Sequence, residues 1–341
     1  MTNRPGIFSL LKKAGFDGFI IALLLMILLG WLWPEGALER NGLSLSAIAG
    51  YGVSLIFFFY GLRLNFEKLK AGLSNWKLHA VVQLSTFVLF PVIVLSCKWI
   101  FTGTQYSYLW LGVFFLAALP STVSSSVVMV SIARGNMTAA IFNASISSLL
   151  GVFLTPLWMK FEMNTTATGF DLGDTIIKLV FQVLLPVIAG ILLNSRWGSF
   201  AEKNKVYLKF FDQVIILMII YTSFADSFLN KRFDSLSLKI LLILTGCMVL
   251  LFFTVFFIIT QVSRVLRFNR ADTIAAMFCG SKKSLVHGTV MSKVLFGGSP
   301  ISGTLLLPLM IYHAAQLIIA SIIARKSAEA AELRVTDISK K

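Results

Sequence analysis

The sequence predicts an all-α membrane protein: ten transmembrane helices in two inverted five-helix repeats, with helices four and nine interrupted and meeting at mid-membrane. Three observations lead there. Of 341 residues, 57% are hydrophobic and only 13% charged, against the roughly 25% charged share of an ordinary soluble domain. Hydrophobic runs follow one another from near the first residue to near the last, which leaves no room for a soluble domain of ordinary size. Landmarks in the first half recur in the second at an offset of about 160 residues.

A helix needs about 20 apolar residues to cross roughly 30 Å of hydrocarbon, and ten segments qualify. The first, 16–33, follows Arg4, Lys12 and Lys13 as a signal peptide would. It is long enough to span, however, and ends in Pro34-Glu35 without a small-residue cleavage pattern, so it reads as a retained helix. Segments two to five are 44–62, 78–101, 106–133 and 137–159; six to ten are 172–193, 211–229, 236–261, 271–296 and 301–324. Residues 1–165 then form the first repeat and 166–326 the second, followed by a polar tail, 327–341, expected to fray. Cys97, Cys247 and Cys279 lie in hydrophobic runs and read as small buried side chains, not as a disulfide framework or zinc site.

The formal charge of +15 reads as an orientation signal; no basic tract suggests nucleic-acid binding. With a cytoplasmic N-terminus, 20 Lys and Arg fall on the cytoplasmic side and 7 on the other, and the last three, Lys282, Lys283 and Lys293, lie inside segment nine. That asymmetry places both termini in the cytoplasm, of a plasma membrane. Because each half holds an odd number of spans, the second half enters the membrane with opposite polarity, the inverted-repeat construction of many secondary transporters.

Segment four carries Leu119-Pro120-Ser121-Thr122-Val123-Ser124-Ser125-Ser126, a proline followed by five hydroxyls in six positions. Proline removes one helical hydrogen bond and obstructs another; such backbone is tolerated at membrane depth only where it is buried in protein or lines a cavity. Segment nine carries Cys279-Gly280-Ser281-Lys282-Lys283-Ser284-Leu285-Val286-His287-Gly288 at the equivalent place. Matched interruptions point to a binding site where half-helix ends face the midplane. Ser124, Ser125, Ser126, Ser281 and Ser284 would supply oxygens there.

Lys282 and Lys283 are the sharpest feature. A lysine at bilayer centre costs about 2.5 to 3.5 kcal/mol on insertion scales, so two need a reason. Either one caps carbonyls of the broken helix or pairs with Asp212, Asp226 or Asp272, or they serve the cavity: attracting an anionic solute, standing in as a fixed cation where a metal ion would bind, or exchanging a proton. On a continuous helix only one could face the cavity; on an unwound one both could. His287, four residues after Lys283, is a candidate for proton transfer or a merely hydrogen-bonded histidine. Asn143 with Ser147, and Gln83 with Thr86, share helix faces at spacings of four and three and line the cavity or cement helix contacts.

At these residues the chain resembles the bile acid:sodium symporter family, most of all its SBF-like branch. Pro120, the serines and Ala133-Arg134-Gly135-Asn136 are similar to the family's fourth helix, and Leu154-Thr155-Pro156 to the end of its fifth. The resemblance covers essentially the full length and implies two crossing broken helices, a core of helices three to five and eight to ten, and a panel of the other four. It also implies solute and sodium sites around the crossing. Here Phe278 stands at the glutamate of sodium-coupled members, Lys282 and Lys283 at their Gln-Asn, and Ala140 and Ala144 at helix-five hydroxyl ligands. The carboxylate that would neutralise sodium has no counterpart.

The expected function is secondary transport of a small, anionic organic solute by alternating access, with Na+ or H+ as candidate coupling ions and no cofactor. The alternative is a membrane regulator or scaffold that keeps the fold without moving solute. No His-Glu-x-x-His helix, Gly-x-Ser-x-Gly elbow or Gly-x-x-x-x-Gly-Lys loop suggests an enzyme or a nucleotide site. The partners expected are a small-molecule substrate and membrane lipid; the oligomeric state is not readable from the sequence.

Overall fold

The computed structural model describes residues 18–39, 44–63, 75–101, 106–165, 177, 180–234, 236–297 and 301–339. The charges Arg4, Lys12, Lys13, Arg40, Lys68, Lys70, Lys178, Lys340 and Lys341, residues 16–17 and most of 172–179 lie outside the described residues. Among those described, all regular structure is helical. Seven helices are long and apolar enough to cross a membrane, and the shorter helices Gly18–Leu32 and Ser107–Ala118 are apolar too. With 57% hydrophobic residues, this is an integral membrane protein.

The helices are α1 Gly18–Leu32, α2 Leu45–Leu62, α3 Trp76–Leu84, α4 Phe90–Ser96, α5 Ser107–Ala118, α6 Ser124–Ile132 and α7 Met137–Thr165. They continue as α8 Leu185–Lys203, α9 Lys205–Leu229, α10 Leu238–Val265, α11 Arg270–Gly280, α12 Leu285–Phe296 and α13 Ser302–Ser339. Helix α13 extends into the polar tail, through Ser339. Cys97 and Cys247 correct an expectation, being exposed on the outer surface while Cys279 alone of the three is buried; a lipid-facing position is as apolar as a core, so hydropathy does not separate them.

Two π-helical turns, Ser85–Leu89 between α3 and α4 and Val180–Leu184 before α8, each precede a proline in the first turn of the following helix, Pro91 and Pro186. Proline has no N–H to give, and the ladder slips by one residue: the amide of Phe90 bonds to Ser85 O. The carbonyls of Thr86 and Phe87 are thereby left to side chains.

Packing falls into two groups. Helices α1, α2, α8 and α9 lie against one another, and α2 and α8 touch backbone to backbone at Gly61 and Gly190, where a Cβ on either would run into the carbonyl of Val187 or Phe58. Small residues at such a crossing are what lets helices associate in lipid. The second group holds α3 to α7 and α10 to α13, with α5 on α13, α6 on α7 and α11, and α10 on α11 and α13. Helices α9 and α2 meet this group at α12 and α13.

The Ala133-Arg134-Gly135-Asn136 corner positions α11. Arg134 takes a left-handed conformation, φ 57°, and Gly135 N returns to Val130 O at 2.8 Å, ending α6. Asn136 caps α7 through Ala139 N (3.0 Å), while Asn75 caps α3 and Asn269 caps α11. All three asparagine amides also donate to the buried carboxylate of Asp272, at 2.9, 2.7 and 2.9 Å. Three helix N-termini thus converge on one negative charge.

Candidate functional site

Helix α5 stops at Ala118, two residues short of Pro120, and its last carbonyls have no helical partners. Each finds one elsewhere. Ala118 O accepts from Thr155 Oγ1 at 2.8 Å and Pro120 O from the amide of Ser284 at 2.9 Å. Ala117 O and Leu119 O accept from Lys283 Nζ at 2.7 and 2.8 Å. The third N–H of that ammonium goes to Thr86 O at 2.7 Å, the carbonyl released by the π-turn, and the ring of Phe90 lies 4.1 Å from Nζ.

The capping is reciprocal. Helix α11 ends at Gly280, and its carbonyls are met by hydroxyls of the other broken segment: Ser121 Oγ donates to Cys279 O at 2.5 Å and Ser126 Oγ to Phe278 O at 3.1 Å. Ser121 N in turn donates to Ser147 Oγ at 2.9 Å. The two interruptions, 119–123 and 281–284, therefore cross in contact, as the sequence requires of a joint site.

Unwinding at 281–284 lets the adjacent lysines diverge. Both are fully buried, and among the described residues neither pairs with an aspartate: Asp212 holds Arg63 at 3.1 Å, and Asp272 is held by its asparagines. Lys283 is tied to backbone. Lys282 Nζ instead donates to Ser125 Oγ at 3.0 Å, and Ser125 passes the hydrogen bond to Thr122 Oγ1 (2.9 Å), itself 2.7 Å from Ser126 Oγ. An ammonium has three donors, and among the described residues Ser125 is the acceptor that Lys282 reaches.

Ser281 Oγ donates to Met277 O (2.6 Å), and Ser284 Oγ caps α12 through His287 N (3.3 Å) and lies 3.0 Å from His287 Nδ1. His287 Nε2 is buried without a partner, and the ring stands edge-on to Tyr60 of α2, centroids 4.8 Å apart. Tyr60 OH donates to Ser148 Oγ of α7 at 2.7 Å, bridging the two helix groups. Gln83 Nε2 reaches Asn143 O and Oδ1, both at 3.2 Å. Thr86 contributes through its carbonyl; its hydroxyl returns to Val82 O. Ser124 is exposed, turned one helical position away from Ser125, and is not part of the crossing.

Two residues that the sequence reading passed over hold segment nine in place. Gln316 Oε1 accepts from Lys283 N and its Nε2 donates to Lys283 O, both at 2.8 Å, and Tyr312 OH donates to Ser281 O at 2.7 Å. The visible signal is a Tyr-x-x-x-Gln pair four apart on one face of an apolar last helix, together with Pro91 as the cause of the π-turn.

Beside this site, between α2, α7 and α8, lies a cleft lined by Tyr60, Ser145, Leu149, Val152, Val187 and Ile191, with about 10 Å³ of free space. That is room for about one water molecule.

The model of the SBF-like CPA transporter family matches residues 17–329. The chain is 37% identical over 312 residues to the Pseudomonas aeruginosa protein PA2026, covering 92% of this chain and 93% of that one. It is 36% identical over 311 residues to the Escherichia coli K12 protein named “Putative symporter YfeH”, covering 91% and 92%. It is 32% identical over 322 residues to the sodium/bile acid cotransporter 7-B of Xenopus laevis, covering 92% of each. Nearly the whole chain, both broken segments included, is shared with membrane proteins of one transporter family and not with an enzyme, and the chain belongs to the SBF-like CPA transporter family.

Proposed function

We propose that the protein is a secondary transporter of a small, anionic organic solute in a plasma membrane, with both termini cytoplasmic. Ten spans in two inverted halves are the arrangement this reading adopts, counting α3 with α4, α5 with α6, and α11 with α12 as one span each. The group α1, α2, α8 and α9 acts as a panel and the remaining helices as a core that moves against it. The observation that carries the proposal is Lys282, a fully buried lysine at the crossing with Ser125 as its acceptor. A cation held there with donors to spare attracts a carboxylate or similar anion.

The test is uptake and counterflow in proteoliposomes with bile acids and small carboxylates, in Na+ or choline medium and at two pH values. Counterflow of an organic anion by the native protein is expected, with Lys282→Gln reducing it at least tenfold or changing its ion dependence. Unaltered transport by Lys282→Gln refutes the assigned role. Absence of counterflow for any solute favours a regulator that keeps the fold.

A further inference from the structure

The surroundings of Lys283 are those of a metal cation. Three backbone carbonyls from two separate segments, Thr86, Ala117 and Leu119, converge on Nζ at 2.7, 2.7 and 2.8 Å. The Phe90 ring closes a fourth side at 4.1 Å, and the side chain is fully buried. None of the three oxygens is free by accident. Thr86 O loses its helical donor because Pro91 forces the π-turn, and Ala117 O and Leu119 O lose theirs because the helix breaks before Pro120. Neutral carbonyl oxygens from interrupted backbone are the donor set with which membrane proteins replace the hydration shell of an alkali cation. Three acceptors surround Nζ, as many as a charged ammonium has N–H donors.

We propose that the Lys283 ammonium fills a site shaped for a monovalent alkali cation, so that the protein carries this cation as a side chain and needs no bound ion at that place. The three carbonyls come from the third and fourth segments, and a positive charge among them holds those two together. A tethered charge makes that junction permanent, where a bound ion would make it depend on the ion's concentration. The assignment is independent of which solute is carried, and of whether any is.

Thermal unfolding of the purified full-length chain tests it, in NaCl, KCl, LiCl or choline chloride at equal ionic strength. The native protein is expected to melt at the same temperature in all four. Lys283→Ala, which empties the carbonyl cage, is expected to melt several degrees higher in at least one alkali chloride than in choline chloride, with saturable dependence on that cation. Lys283→Met, whose side chain fills the cage without charge, is expected to show no such difference. Equal melting of Lys283→Ala in all four salts overturns the assignment, as does an alkali response of equal size in Lys283→Met. If Lys283→Ala gives no folded protein in any salt, Lys283→Gln, which keeps two donors, takes its place: stabilisation by an alkali cation over choline supports the site. Equal melting, or no folded protein in any salt, overturns it.

Discussion

Adjacent lysines in one unwound stretch have different fates because an extended backbone sends successive side chains to opposite sides. Lys283 finds backbone oxygens and Lys282 finds a hydroxyl chain that ends at Ser126 and Phe278 O. What keeps them apart is the main chain of Lys283, clamped on both its N–H and its C=O by the amide of Gln316. Replacing Gln316 with Met leaves two buried backbone groups unpaired. At about 1–3 kcal/mol for each such group, Gln316→Met is expected to destabilise the protein by about 2–6 kcal/mol, read as a large drop in melting temperature in detergent. A variant that melts within a degree of the native protein shows that the clamp is dispensable. Sequence disclosed that two amines lay inside the membrane, but not what each would touch, since the partners are mostly backbone carbonyls that every residue possesses.

Helices are broken here at Pro91 and Pro120, and at 281–284 without a proline, and these breaks hand orphaned groups to other segments. Pro91 is the least conspicuous of these, yet the π-turn it causes supplies one of three oxygens to Lys283 and gives Phe87 O to Trp158 Nε1 at 2.8 Å. Pro91→Ala restores an amide that can bond to Phe87 O, so the segment relaxes toward an α-helix and draws both carbonyls back. The expected cost is the bond to a charged donor, about 1.5–3 kcal/mol, seen as a lower denaturation midpoint. A gain in stability from this exchange, the usual result of removing proline from a helix interior, contradicts the role given to the turn. Hydropathy missed the ends of several helices, such as Lys203 against an expected 193, while both interruptions were legible in proline and glycine placement. The π-turns were not, because local slippage changes no hydrophobic period.

On the scale of the molecule, few polar contacts join the two helix groups. Tyr60 to Ser148 is one, and Lys293 Nζ of α12 to Ser46 Oγ of α2 is another. If transport requires the groups to separate, tying them at Ser46 and Lys293 blocks it. With the exposed Cys97 and Cys247 replaced by Ser, the pair Ser46→Cys and Lys293→Cys is expected to lose uptake on treatment with a short bifunctional thiol reagent. Melting temperature is expected to hold or rise. Full uptake by protein that mass spectrometry shows to be cross-linked excludes a relative movement at this point.

Composition and hydropathy by themselves determined that the chain lives in a membrane, and residue types marked 119–126 and 279–288 as places where its helices break, because lipid admits only backbone that satisfies its own hydrogen bonds. Each such break announces itself through proline, glycine and clustered hydroxyls. Tertiary structure alone decided how the breaks complete one another: hydroxyls of one segment on the carbonyls of the other, Lys283 in return, and Tyr312 and Gln316 from a helix at the far end of the chain. Those pairings depend on which free carbonyl lies within about 3 Å of which donor, and no local pattern of residue types encodes a distance between segments 31 to 164 positions apart.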